Sequence, residues 1–432
     1  MGGHVGAHTG LYSSFGHMMK AFVGANYLSI PYAIKCAGLY LGVVGLVVVG
    51  VLTGYCCLLL IECKRALETR YRREGEGSEV RFELLSEGVG ASKETERVTY
   101  GDIAAHVYGS RGRMVVEAAL VVTQLGFCVG YFIFVSSNLA TLASAYFSAQ
   151  ISPWVFVLLL LPGVISLALI QDISRLVPFS LVADGVLLFG FVVILSRVLD
   201  QIRYAPPPPG DVVLVNWSTF ALFFGVVVSG FEGIALVVPM ESSMGLPPVT
   251  FRRMLVLCIV SVTAIFGVFG ALGYVAFGSS VLDLLTLNLE ASPLLNLVTL
   301  CVCLGIVFTY PLQLFPAVDI ITSSWFKSSS THLRKRISII LVLATAATAF
   351  CIPRFGLLLS LIGNMGSATL SFILPALLHL NFFDNPNIPS TTTQLHYAIV
   401  LFGLVGGGIG TLVSLHEIWI DLSGQGAAHV HV

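Results

Sequence analysis

Charge is scarce in this sequence of 432 residues. Lys, Arg, Asp and Glu together make up 10% of it, against about 25% in an ordinary soluble domain. Hydrophobic residues make up 56%, and mean hydropathy is +0.91. That balance excludes a disordered chain and speaks against a soluble multidomain enzyme. Neither sign of charge dominates, because the formal net charge is −1, so there is no global basic signal for nucleic acid. Paired cysteine motifs are missing as well. All nine cysteines sit in or at the ends of apolar runs, and Cys301-Val302-Cys303 has no second ligand pair. Neither a zinc site nor a disulfide framework is legible. The first apolar run lacks the layout of a removable signal, and Gly6 stands where myristoylation wants Ser or Thr. The apolar runs hold no paired catalytic residues and no metal constellation, so the sequence reads as neither an enzyme nor a cofactor protein.

What the sequence has instead is long apolar runs. Eleven are read, at 11–35, 39–61, 114–146, 153–171, 177–199, 218–240, 254–277, 294–324, 337–352, 355–380 and 396–420. Most reach the roughly 20 residues that a helix needs to cross hydrocarbon. Helices are required because lipid offers backbone polar groups no partner. The expectation is an all-α polytopic membrane protein, with residues 1–426 forming one transmembrane transporter domain.

Lys and Arg set its orientation. With the N-terminus in the cytoplasm, 17 of them fall on the cytoplasmic side and 4 on the other. The cytoplasmic loop 62–113 holds 20 of the 45 charged residues. It reads as flexible over 68–98 and is the place where a cytoplasmic partner would bind. Tyr100, Ile103, Ala104, Val107 and Tyr108 then recur at helical spacing and suggest a short helix lying on the membrane surface. On the outer side, Pro206-Pro207-Pro208-Pro209 is a stiff spacer. Asn216-Trp217-Ser218 is a glycosylation sequon, too close to the next span for modification to be expected. Residues 421–432 form an exoplasmic tail.

The chemistry concentrates where two spans should fail as helices. In the first, Gly24-Ala25-Asn26 interrupts the run and Pro31 follows; in the sixth, Gly230-Phe231-Glu232-Gly233 interrupts it and Pro239 follows. Glycine tolerates unwound dihedrals, and unwinding frees amides and carbonyls. Freed amides at a half-helix start attract an anion such as a carboxylate, whereas freed carbonyls attract an amino group or Na⁺. One such break alone reads best as close packing of small residues. Two breaks, five spans apart, point to an inverted-repeat transporter with its site at the bilayer midplane. Glu232 is a carboxyl group within an apolar span, placed to carry a proton or to face a substrate amine. The bland alternative is a neutral acid bonding the unwound backbone.

Several stretches resemble the amino acid/auxin permease superfamily, most closely its proton-coupled amino acid transporters. They are His17-Met18-Met19-Lys20 with Val23-Gly24 and Pro31, Thr123-Gln124-Leu125-Gly126-Phe127-Cys128 with Tyr131-Phe132, and Phe231-Glu232-Gly233-Ile234 with Pro239-Met240-Glu241. Leu272-Gly273-Tyr274 with Phe277-Gly278, and Thr309-Tyr310 with Gln313, continue the likeness in order. The resemblance implies a LeuT-like arrangement of two five-helix inverted repeats, 11–199 and 218–380, with helices 1 and 6 broken and 396–420 as an eleventh helix. It implies an amino acid substrate cradled by Gly24, Ala25, Asn26, Gly230, Phe231, Glu232 and Gly233, with Phe127 and Tyr131 lining the cradle. It also places His17 where relatives have a histidine associated with proton coupling; an imidazole titrates near pH 6.5. The family's Gly-Asn-Ile-Gly-Thr-Gly run reads Ala21-Phe22-Val23-Gly24-Ala25-Asn26 here. Asp184 stands where relatives often carry Asn, either as a second protonation site or cation ligand, or as a neutral acid in a helix contact.

The leading reading is proton-coupled amino acid symport by alternating access, with His17, Glu232 and Asp184 as proton-coupling candidates. Sodium-coupled transport is the alternative, with the Thr309 hydroxyl facing the span-1 break as a Na⁺ ligand. A non-transporting amino acid sensor is the third. A channel is disfavoured because the charges within spans, Glu62, Glu117, Asp184, Glu232 and Asp319, look isolated. The plasma membrane and an acidic vacuolar or lysosomal membrane both fit.

Overall fold

The computed structural model describes residues 3–76, 98–147, 151–170, 177–231, 233–290, 292–328, 330–352, 354–383 and 390–423. Glu232, the loop stretch 77–97 and the tail beyond Ser423 lie outside the described residues, as do the side chains of Ala25 and Asp184. Among the described residues there is no strand. The helices run α1 Gly3–Phe22, α2 Ile30–Ala37, α3 Leu39–Glu76, α4 Tyr100–Phe147, α5 Pro153–Ala168, α6 Val177–Tyr204 and α7 Phe220–Gly230. They continue α8 Ile234–Met244, α9 Pro248–Phe277, α10 Pro293–Asp319, α11 Thr331–Cys351, α12 Phe355–Ile362, α13 Leu374–Phe382 and α14 Ser390–Leu422. A 3-10 turn, Ala25–Ser29, joins α1 to α2, and two π turns, Gly363–Ser367 and Thr369–Ile373, join α12 to α13.

The helices start where the sequence permits. Pro153, Pro248 and Pro293 open α5, α9 and α10, positions where the missing amide has no helical acceptor to lose. Eight helical segments among the described residues are long and apolar enough to cross a bilayer, and they coincide with the expected spans at 39–61, 114–146, 177–199, 218–240, 254–277, 294–324, 355–380 and 396–420. The other three differ for visible reasons. Run 11–35 is divided between α1 and α2. Run 153–171 folds as α5, 16 residues long. Run 337–352 lies in α11, whose opening turns carry His332, Arg334, Lys335 and Arg336.

The short helix expected at 100–108 forms, set off from the rest of α4 by a kink at Gly109. Its apolar side turns towards the bundle. Ile103 and Ala104 are fully buried, and the Tyr100 hydroxyl donates to the Leu370 carbonyl at 3.0 Å. The apolar face packs on protein, where its hydroxyl finds a partner that hydrocarbon would deny it.

The broken segment α7–α8 sits at the centre of the bundle, with 82% of its most apolar stretch buried; for α14 that share is 33%. Helix α10 lies along α4 and α6, α9 along α3 and α2, and both α12 and α14 pack on α7. Two ends of the bundle differ in character. One, the basic end, carries Lys64, Arg65, Arg252, Arg253, Arg334, Lys335 and Arg336. Of the five charges expected to be isolated, Glu62 and Asp319 are ion-paired and Glu117 is hydrogen-bonded, which corrects the expectation for these three; Glu232 and the Asp184 side chain lie outside the described residues. Glu62 meets Arg252 and His379, both at 3.4 Å. Asp319 meets Arg334 at 3.0 Å. Glu117 accepts from Ser324 Oγ at 2.7 Å and Trp325 Nε1 at 3.2 Å. The Glu62 and Glu117 contacts join segments far apart in sequence, whereas Asp319 and Arg334 join consecutive helices.

At the opposite end, the far end, the loop between α6 and α7 is stitched to the α2–α3 corner. Leu39 N donates to Val213 O at 2.8 Å, Tyr40 N to Leu214 O at 2.9 Å, and Asn216 N to Ala37 O at 2.7 Å. Gly38 makes this possible. Its φ is +85°, and a Cβ there would lie 2.7 Å from the Leu214 carbonyl carbon. Gly278, φ +54°, does the same for Asp211, whose Oδ2 accepts from Ser279 N at 2.9 Å. The Asn216 side chain is engaged within its own turn, donating to Thr219 Oγ1 at 3.1 Å and accepting from Ser218 N at 3.1 Å.

Candidate functional site

Both expected breaks occur. Helix α1 makes its last turn with Val23 N donating to Met19 O at 2.9 Å, and Gly24 is then extended, φ −100° and ψ −172°. The 3-10 turn that follows has no side-chain cap, so its leading amides have no acceptor within the turn. Helix α7 stops at Gly230. Phe231 N closes a tight turn on Val228 O at 3.2 Å, and α8 begins after Gly233, also without a side-chain cap.

The two breaks touch. Asn26 Nδ2 donates to Ser229 O at 3.4 Å. The Phe22 ring lies against Gly233, and the Ile30 side chain against Gly230. No β-carbon stands between the backbones at either glycine, which lets the segments approach this closely. Beside the breaks lies a cavity of about 890 Å³, within the range of small-molecule sites. Its walls come from α1, α4, α7, α8 and α10, with Leu187 of α6.

The sequence-derived residues divide. Gly24, Asn26, Phe127, Tyr131, Gly230, His17 and Thr309 all line the cavity. Phe231 and Gly233 do not. Phe231 is fully buried on the other side, packed edge-on against Phe266 at 5.6 Å, and Gly233 lies beneath Phe22. The structure describes no side chain for Ala25 or Asp184 and nothing of Glu232. Residues given no site role in the sequence also line the space: Lys20, Gln124 and Gln313, which stand in the family-like stretches, and Ser229. Gln313 Nε2 donates to Gln124 Oε1 at 2.5 Å, tying α10 to α4 across the wall. The available signal for this pair was an uncharged amide within each of two apolar runs.

The cavity is open at one end. His17, Lys20 and Ser243 are exposed where it meets the basic end. Towards the far end it is shut by rings. Tyr27 meets Phe191 and Phe269 edge-on, each at 5.4 Å, and those two rings lie 5.2 Å apart. The buried Tyr27 hydroxyl has no hydrogen-bond partner among the described residues. Beyond the rings, Ser29 Oγ donates to Asp283 O at 2.5 Å and Lys35 Nζ to Val281 O at 3.0 Å. Chemically, the site offers the amides of an uncapped 3-10 turn at Gly24–Asn26 for an anion and the last carbonyls of α1 and α7 for a cation. Polar side chains and aromatic walls lie between them.

A sequence profile described as transmembrane amino acid transporter protein matches residues 7–78 and 82–416. The amino acid transporter AVT3C of Arabidopsis thaliana is 33% identical over 424 residues, covering 94% of this chain and 91% of that protein. The amino acid transporter ANT1 of the same plant is 30% identical, covering 94% and 92%. A third, AVT3B, is 31% identical, covering 94% of both.

Proposed function

Because this chain belongs to the transmembrane amino acid transporter family, whose members move solutes rather than catalyse reactions, we propose that it carries amino acids by proton-coupled symport with alternating access. The observation that carries this reading is the meeting of two helix breaks at one cavity, joined by Asn26 and Ser229. The substrate carboxylate meets the amides of Gly24 to Asn26, and its ammonium group meets the carbonyls that end α1 and α7. Phe127 and Tyr131 line the space for the side chain. His17, exposed at the mouth, exchanges protons with the basic-end solution, and Glu232 carries one beside the substrate. Asp184 is a further proton carrier in this scheme. The N-terminus is cytoplasmic, by the placement of Lys and Arg. Two repeats, 11–199 and 218–380, tilt against each other. The peripheral α14, covering 396–420, stays outside them, a reading supported by its low burial.

One observation favours a sodium-coupled alternative. Thr309 lines the cavity, and its hydroxyl, donating to Gly305 O at 2.6 Å, keeps its lone pairs for a cation. Radiolabelled uptake into proteoliposomes, with pH and Na⁺ gradients imposed separately, decides. The expected result is flux that follows the pH gradient, ignores Na⁺ and falls at least ten-fold in Glu232→Gln. Flux that follows Na⁺ alone and falls in Thr309→Ala supports the second reading. Saturable binding without flux identifies a sensor.

A further inference from the structure

On the outside of the bundle, away from the transport cavity, a groove of about 690 Å³ runs between the end of α3 and the start of α9. At its mouth stand three guanidinium groups, Arg65, Arg252 and Arg253. Pro248 and Val249 line it on the near side of them and Val256, Leu257 and Val260 on the membrane side, and the four valine and leucine side chains are 43–61% exposed. Positions 249, 253, 256, 257 and 260 share one face of α9, at the three- and four-residue spacing of a helix. From Arg253 to Val260 the stripe rises seven residues, about 10 Å. That is about two thirds of the depth of one leaflet, half of the roughly 30 Å hydrocarbon core.

The arginines are not equally committed. Arg65 Nε holds Glu241 Oε1 at 2.6 Å, and Arg252 reaches Glu62 at 3.4 Å. Among the described residues, Arg253 has no carboxylate within ion-pair distance. With the buried Lys64, the corner carries four cations against three acids, Glu62, Glu68 and Glu241. The charge left over sits at the foot of an apolar stripe that leads into hydrocarbon, where an acyl chain lies.

We propose that this groove binds one anionic phospholipid of the basic-end leaflet, with its phosphate on Arg252 and Arg253 and one acyl chain along Val256, Leu257 and Val260. The stripe lies on a membrane-spanning helix, so the occupant must present a chain inside hydrocarbon. Basic pockets between helices at this level hold anionic headgroups by the same electrostatics. Arg65 links the groove to the transporter's moving part. It touches the headgroup site while gripping Glu241, which closely follows α8 residues lining the cavity.

The test uses the purified full chain in detergent, titrated with phosphatidylglycerol, phosphatidylcholine or glycerol 3-phosphate. Bound lipid is counted by native mass spectrometry and the unfolding midpoint is followed in parallel. Phosphatidylglycerol is expected to bind at one saturable site and raise the midpoint, with phosphatidylcholine and glycerol 3-phosphate much weaker. Arg253→Gln, which breaks no ion pair, should weaken phosphatidylglycerol about five-fold. The double variant Lys335→Gln/Arg336→Gln, which removes two charges from α11 at the same end, should leave it unchanged. Equal weakening by both variants would mean diffuse charge and would overturn the proposal, as would glycerol 3-phosphate binding as tightly as the diacyl lipid. Full affinity in Arg253→Gln would also overturn it.

Discussion

Phe22 fills the space that Gly233 leaves empty, and that pairing sets how closely the two breaks approach. A β-carbon at Gly233 would fall on the ring, and overpacking of this kind costs about 1–3 kcal/mol. Gly233→Ala should therefore lower the unfolding midpoint and reduce uptake together, and Phe22→Leu in the same chain should restore both. A Gly233→Ala protein with wild-type stability would refute that contact. Gly24 differs, since a β-carbon there meets nothing within 4 Å; Gly24→Ala should fold normally and weaken substrate binding by intruding on the cavity. At the far end, hydrogen bonds from Ser279, through its side chain and then its backbone, hold the Asp211 carboxyl below its ordinary value. A depressed folded value means the contact stabilises fully above the unfolded value, near pH 3.9, and is lost as pH falls through the folded one. Asp211→Asn should flatten the decline of the unfolding midpoint below about pH 4. A decline as steep as wild type would show that the carboxylate contributes nothing.

Among the elements, the far-end closure rests on α2's preceding turn meeting α6 and α9 through Tyr27, Phe191 and Phe269. The orphaned Tyr27 hydroxyl is a cost of that closed state, about 1–3 kcal/mol for a buried group left unpaired. Removing it should favour closure. Tyr27→Phe is expected to raise the unfolding midpoint and slow uptake driven from the far side; a lower midpoint would mean the hydroxyl is bonded after all. The sequence foretold the breaks but not this lid. Gly24, Asn26 and Gly230 announce themselves because small and amide residues interrupt an apolar run, a local signal. Tyr27, Phe191 and Phe269 sit in three separate runs where an aromatic is unremarked, and only packing brings them together. Gln124 and Gln313 stand in family-like stretches, but only packing brings the two amides together. The helix at 100–108 was legible from its spacing, but spacing cannot say whether an apolar face meets lipid or protein.

For the whole molecule, the cavity is open at one end and sealed at the other, and under the alternating access proposed above that is one of two states. Labelling by membrane-impermeant thiol reagents checks this directly. Cys351 is exposed and Cys301 is partly so, whereas the other seven thiols are buried. In a chain with those two replaced, Ser243→Cys should react with reagent applied from the basic end and resist it from the other side. Saturating amino acid should slow that reaction as the protein leaves this state. Unchanged labelling with substrate would argue that the cavity does not close. Eight of the eleven expected runs fall on membrane-length helices, because hydropathy is additive along a run. Reading run by run failed to see the pairing of Glu62, Glu117 and Asp319, because their partners lie on other helices.

The backbone bonds from Leu39, Tyr40 and Asn216 tie the proline-rich loop to the corner that any outward swing of α2 must carry with it. A nanobody clasping Pro206 to Gly210 from outside would therefore act as a brake applied to the hinge, throttling turnover without ever entering the solute's path.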